Sequence, residues 1–141
     1  MLENVSLSSS RNSCSQLHVK ETQAHVLNFR TFKIENENGI RNLILRRNQL
    51  KDDFAISLAR VLETDKYIKQ VDLAGNKIRE RGIQHLISVG FLQNQTLLQI
   101  DCRLNPGLTD KQRKQFALCM LKNIEHMQAK DLHIKKSYLN A

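Results

Sequence analysis

The stretch Ile68-Lys-Gln-Val71-Asp-Leu73-Ala-Gly-Asn76-Lys-Ile78 decides how the rest of the chain is read. Two other segments follow its pattern. One is Ile40-Arg-Asn-Leu43-Ile-Leu45-Arg-Arg-Asn48-Gln-Leu50; the other is Leu97-Leu-Gln-Ile100-Asp-Cys102-Arg-Leu-Asn105-Pro-Gly-Leu108, with one extra residue before its last apolar position. All fit L-x-x-L-x-L-x-x-N-x-L, and Asn48, Asn76 and Asn105 stand 28 and 29 residues apart. Alternation over four residues puts Leu43 and Leu45, Val71 and Leu73, and Ile100 and Cys102 on one face of a strand. The asparagines sit where the chain turns away from the strand, and an amide there can bond backbone groups that the bend leaves without ladder partners.

Behind each asparagine the period changes from two to that of a helix. Phe54, Leu58, Val61 and Leu62 form the first stripe, and Ile83, Leu86, Ile87 and Phe91 the second. Phe116, Cys119, Met120, Ile124 and Met127 form the third, with Thr109 as its N-cap and Gln112 reaching back. A strand-plus-helix unit of this length cannot cover its own apolar face, so neighbouring units must share one core. The pattern predicts an α/β leucine-rich-repeat solenoid: a short right-handed horseshoe segment with parallel strands inside and helices outside.

The predicted divisions are a disordered Ser- and Asn-rich tail (1–14), a degenerate N-terminal cap repeat (15–39), three leucine-rich repeats (40–127) and a C-terminal cap or tail (128–141). In the first cap Leu17 stands 28 residues before Leu45, Lys20 fills the Asn slot, and Val26, Leu27, Phe29, Phe32 and Ile34 supply apolar cover. In the second, Leu132, Ile134, Tyr138 and Leu139 are expected to fold back over Leu118 and Leu121, which fall outside the third stripe.

A length of 141 residues suits one core, and no run is long and apolar enough to suggest a membrane span. The N-terminus has no charged start followed by an apolar stretch, so it does not read as a secretory signal. Cys14, Cys102 and Cys119 are too sparse for a disulfide framework and form no Cys-x-x-Cys pair, which favours a reducing setting, cytoplasm or nucleus, with the cytoplasm expected. Net charge is +8, but residues 1–39 are neutral and 40–105 and 106–141 carry +4 each, with no run longer than Arg46–Arg47 or Lys135–Lys136. That is a weak footprint for nucleic acid. The basic stretch Lys111 to Lys136 is interspersed with Asp110, Glu125 and Asp131 and reads as a solvated helix face.

The segment from about Ile40 to Ile124 resembles the ribonuclease-inhibitor-like leucine-rich-repeat superfamily. Within it, Leu45-Arg-Arg-Asn48, Val71-Asp-Leu73-Ala-Gly-Asn76 and Ile100-Asp-Cys102-Arg-Leu-Asn105-Pro-Gly are most similar to the repeat region of the 78-kDa centrosomal protein family. That resemblance implies a scaffold or adaptor acting through protein contacts, with centriolar or ciliary partners and a place at the centrosome, basal body or cilium. Tropomodulin-like actin cappers and activators of Ran-type GTPases share the repeat type. The chain shows no tropomyosin-binding helices for the former and too few repeats for the latter.

The predicted binding surface is the concave strand face, in three ranks: Asn42, Gln70 and Gln99; Ile44, Asp72 and Asp101; and Arg46, Ala74 and Arg103. Asp72 and Asp101 either meet a polar partner or merely pair with Arg46 and Arg103 across adjacent strands. No catalytic constellation is recognised: phosphate loop, nucleophile elbow and Cys/His pair are all missing. His18, His25, His85, His126 and His133 are scattered, so no metal or cofactor is predicted. Besides a protein-binding scaffold, a regulatory cofactor of a small GTPase or ubiquitin ligase fits the pattern, with Arg46, Arg47, Arg79, Arg81 and Arg103 as finger candidates. A weak binder of nucleic acid or another acidic surface is the third possibility.

Overall fold

Strand residues alternate inward and outward as the pattern requires, and the inward set builds the core. Leu43, Leu45 and Leu73 are fully buried, and Val71, Ile100 and Cys102 nearly so. The computed structural model describes residues 16–18 and 39–140. In chain order the elements are β1 (Gln16–His18), β2 (Asn42–Ile44), α1 (Asp52–Thr64), β3 (Gln70–Asp72), α2 (Glu80–His85, running on as a π-helical stretch, Leu86–Phe91), β4 (Gln99–Asp101) and α3 (Asp110–Leu139). The strands form one parallel sheet in the order β1-β2-β3-β4. Leu43 pairs with Val71 and Val71 with Ile100, so the 28- and 29-residue spacings become the strand register.

The helices lie against the inward side chains. Ala55, Leu58, Ala59, Val61 and Leu62 of α1 are buried, as are Ile83, Leu86, Ile87 and Phe91 of α2. At roughly 1.5–3 kcal/mol for each large side chain removed from water, these residues dominate the folding free energy. The Phe91 ring meets that of Phe116 on α3, centroids 6.1 Å apart. Thr109 caps α3 as expected: its N–H donates to Gln112 Oε1 (2.8 Å) and its hydroxyl accepts from the Gln112 N–H (3.4 Å).

The asparagines stitch the turns together. Asn76 Nδ2 donates to its own Leu73 carbonyl (2.8 Å) and to Leu45 in the preceding unit (3.0 Å). Its Oδ1 accepts from the N–H groups of Asn48 (2.9 Å) and Leu50 (3.1 Å). Asn105 repeats the arrangement one unit on, binding Cys102 and Leu73 and accepting from Ile78. A second series closes the opposite ends of the helices. Asp65 Oδ1 accepts from Tyr67 and Ile68 N–H, and Asn94 Oδ1 from Thr96 and Leu97 N–H. Asn94 also reaches back to the Leu62 carbonyl (2.6 Å), and Asn123 to Leu97 (2.8 Å).

Three expectations need correction. The horseshoe solenoid is not the architecture: the molecule is a small sheet of three-residue parallel strands with a layer of helices. The alternation stops at α3, which passes Asn123 without turning back and runs for 30 residues. The N-terminal strand pairs in a different register, Leu17 with Leu43 rather than with Leu45. The C-terminal residues do not fold back: Leu132, Ile134, Tyr138 and Leu139 prolong α3, leaving Leu118 and Leu121 66% and 56% exposed. The tail (1–14), Lys20 and the apolar residues Val26 to Ile34 of the N-terminal cap lie outside the described residues.

Candidate functional site

The outward strand residues stand in the predicted ranks because the register aligns them. Asn42 lies beside Gln70 and Gln70 beside Gln99, while Ile44, Asp72 and Asp101 form the next rank. Backbone bonds from Arg47 N–H to Ala74 O (2.9 Å) and from Gly75 N–H to Arg103 O (3.0 Å) carry the alignment past the strands to Arg46, Ala74 and Arg103. The first two ranks line a shallow groove of about 170 Å³. Gln70 and Gln99 are exposed and Asn42 and Ile44 half-buried. Arg46 and Arg103 flank the groove rather than line it.

The charges settle into pairs, one of them across strands and one not. Arg46 Nε reaches Asp72 Oδ2 across the β2–β3 step at 3.1 Å. Arg103 turns back on Asp101 in its own unit, Nε to Oδ1 at 3.0 Å and Nη2 to Oδ2 at 2.8 Å. The expected cross-strand pairing of Arg103 is therefore replaced by a two-residue loop, because a planar guanidinium matches one carboxylate bidentately. Each carboxylate also accepts from the backbone, Asp72 Oδ1 from Ala74 N–H and Asp101 Oδ1 from Arg103 N–H, both at 3.0 Å. The side-chain bond from Arg103 holds the Asp101 carboxyl below its ordinary range, against the opposing effect of partial burial. With both acids neutralised in place, the groove presents amides and one apolar side chain, not an acidic patch.

A larger open cleft, about 570 Å³, lies where the helices begin, lined by Lys51, Asp52, Asp53, Lys77, Arg79, Arg81 and Pro106. Asp52 is engaged there as acceptor for the Arg79 N–H (2.6 Å). Cys102 and Cys119 are buried free thiols, and burial pushes both upward in pKa. Among the described residues no group of three His, Cys, Asp or Glu could hold a metal ion, and no helix is long and apolar enough to cross a membrane. The Asp65, Asn94, Asn123 series went unread in the sequence, although its two 29-residue intervals were a signal.

A small parallel sheet backed by helices, ending in one long helix, defines a class that solved structures share. The chain aligns with "Leiomodin-1 Actin-Binding Site 2" at a TM-score of 0.60 and 16% identity, covering 88% of each chain. It aligns with the tropomodulin C-terminal domain of Caenorhabditis elegans at 0.55 and 12% identity, covering 90% of this chain and 94% of that one. These likenesses give the fold, and they replace the horseshoe solenoid and the ribonuclease-inhibitor-like assignment. In sequence the chain is 34% identical over 87 residues to "Centrosomal protein of 78 kDa" of Xenopus tropicalis, which is 61% of this chain and 12% of that protein. The centrosomal resemblance is thus a partial one, to a small portion of a much longer protein. No family model matches the chain.

Proposed function

We propose that this chain is a non-catalytic protein-binding module that receives a partner across the outward face of its parallel strands. The observation that carries the reading is the in-register rank Asn42, Gln70 and Gln99, beside Ile44, Asp72 and Asp101 on one groove. Three amides at the strand spacing of ~4.8 Å offer paired donors and acceptors to a partner's polar backbone or side chains. Arg46 and Arg103 border them, each anchored by its own carboxylate.

Two comparisons support a cytoskeletal setting. A neighbour in fold is named as an actin-binding site, and the relative in sequence is named as a centrosomal protein. The partner is accordingly sought among actin and centriolar or ciliary proteins, with the centrosome as the location. The test replaces Gln70 and Gln99, both exposed on the groove, by arginine. Co-sedimentation with actin filaments and proximity labelling at the centrosome are then compared with the unaltered chain. The expected outcome is that one of the two signals is present and falls at least about tenfold, a difference of ~1.4 kcal/mol. Unchanged binding by the double variant removes the strand face as the site, and absence of both signals in the unaltered chain removes the cytoskeletal setting.

A further inference from the structure

From Gln128 to Leu139 every residue of α3 is exposed, so the helix stands clear of the body for about 18 Å at ~1.5 Å per residue. A free helix of that length is marginal in water. Yet it carries Leu132, Ile134, Tyr138 and Leu139, each more than half exposed. Met120, Ile124, Met127, Asp131, Ile134 and Tyr138 follow one another in steps of four and three. That spacing draws one seam along the helix, the seam of a two-stranded coiled coil. Its inner end, Met120, is half-buried against the chain's own core, and the seam emerges from the body through Ile124 and Met127, both half-buried. Leu118, Leu121, Leu132 and Leu139 lie about 100° or more away around the helix.

We propose that α3 pairs antiparallel with α3 of a second copy of this chain through the seam from Met120 to Tyr138. Turned end for end about residue 129, the seam sets Ile124 against Ile134 of the second copy, Met120 against Tyr138, and Met127 against Asp131. A two-fold interface must be self-complementary in this way. The charges choose the direction. A parallel pair would press Asp131 against Asp131, whereas the antiparallel pair brings each Asp131 beside Lys130 of the other copy, two carboxylates with two ammonium groups. Neither residue has an ion partner among the described residues. Lys122 and Lys136 fall on the far side of the helix, away from the second copy. The proposal is independent of the strand-face reading.

Sedimentation equilibrium of the full chain at up to about 100 µM, where mass action favours association, is expected to show a species of twice the 16.3 kDa chain mass. Ile134→Lys with Tyr138→Lys should give a monomer whose thermal unfolding no longer depends on concentration and matches that of the unaltered chain when diluted below association. Leu132→Lys with Leu139→Lys, on the other side, should leave the dimer. Asp131→Leu should tighten it by about tenfold or more, since a polar seam residue weakens a coiled coil. In a Cys14→Ser background, oxidised Ile124→Cys/Ile134→Cys should form a cross-linked dimer, and Ile134→Cys alone should not. A monomer at every concentration, dissociation by the Leu132/Leu139 changes, no tightening by Asp131→Leu, or self-cross-linking of Ile134→Cys each overturns the proposal.

Discussion

Arg47, Gly75 and Leu104 occupy one position in successive units, just before the asparagine, and all have left-handed backbone, with φ of 55°, 69° and 60°. Only the middle unit has the residue suited to it; a side chain there costs about 1 kcal/mol. Gly75→Ala should therefore destabilise by about 1–2 kcal/mol, the more so because its Cβ would lie 3.1 Å from Arg47 Cγ. Leu104, 78% exposed, has little packing to lose, so Leu104→Gly should be neutral or stabilising by up to about 1 kcal/mol. Urea denaturation of both variants measures the contrast. Gly107 is constrained by space: a Cβ there would run into the Arg79–Glu80 backbone, and Gly107→Ala should cost about 2 kcal/mol or more in the same experiment. The Asp101–Arg103 bond gives an acid signature. Because the folded carboxyl titrates below its ordinary 3.8, its contribution is fully present above about pH 4 and disappears as pH falls through the lowered value. Asp101→Asn should flatten the acid limb of a stability–pH curve, and an unchanged limb would count against that bond.

At the scale of elements, the strands and helices were legible because one face of each is apolar at its own period. The short strands hold the inward alternation Leu43/Leu45, Val71/Leu73 and Ile100/Cys102, and the capping pair Thr109 and Gln112 marked the start of α3. Its end was not legible. No Gly or Pro stands between Gly107 and the C-terminus, so nothing local stops the helix, while its apolar residues looked like cover for Leu118 and Leu121. The pairing of Arg103 was missed for a related reason: strand spacing gives neighbours across the sheet, but rotamer geometry selects among them. Of the candidate face, the ranks and the pairing of its carboxylates with Arg46 and Arg103 could be read from the sequence, whereas the turn of Arg103 onto Asp101 of its own unit could not. The asparagine turns give the sharpest test at this scale. Asn76→Ala removes the acceptor of the Asn48 and Leu50 N–H groups, while the carbonyls of Leu45 and Leu73 keep bonds from the amides of Asn48 and Asn105. At ~1–3 kcal/mol for each buried group left unmet, the variant should lose about 2 kcal/mol or more by calorimetry or urea unfolding.

Across the whole molecule, stability is graded along the chain axis of α3. Gln112, Phe116, Cys119 and Asn123 are buried against the body, and Gln128 to Asn140 are exposed. Native-state hydrogen exchange should show the amides of α1, α2 and the first half of α3 opening with the global unfolding free energy. In the Ile134→Lys/Tyr138→Lys variant the amides of residues 128–139 should exchange far faster than these, within the range of fraying ends. Equal protection in both halves of that variant would show a cover other than a second copy. The buried thiols follow the same division: Cys102 and Cys119 should resist alkylation in the native state and react on unfolding, as read by mass spectrometry. The bonds of Asn76 and Asn105, finally, point one way. Each of these two amides reaches into the unit before it, so the turn it serves is complete only after its successor has folded. As the chain leaves the ribosome, the newest unit therefore emerges with raw backbone groups and waits on residues not yet made, until the segment around Asn105 is out and the turn at Ile78 is sealed.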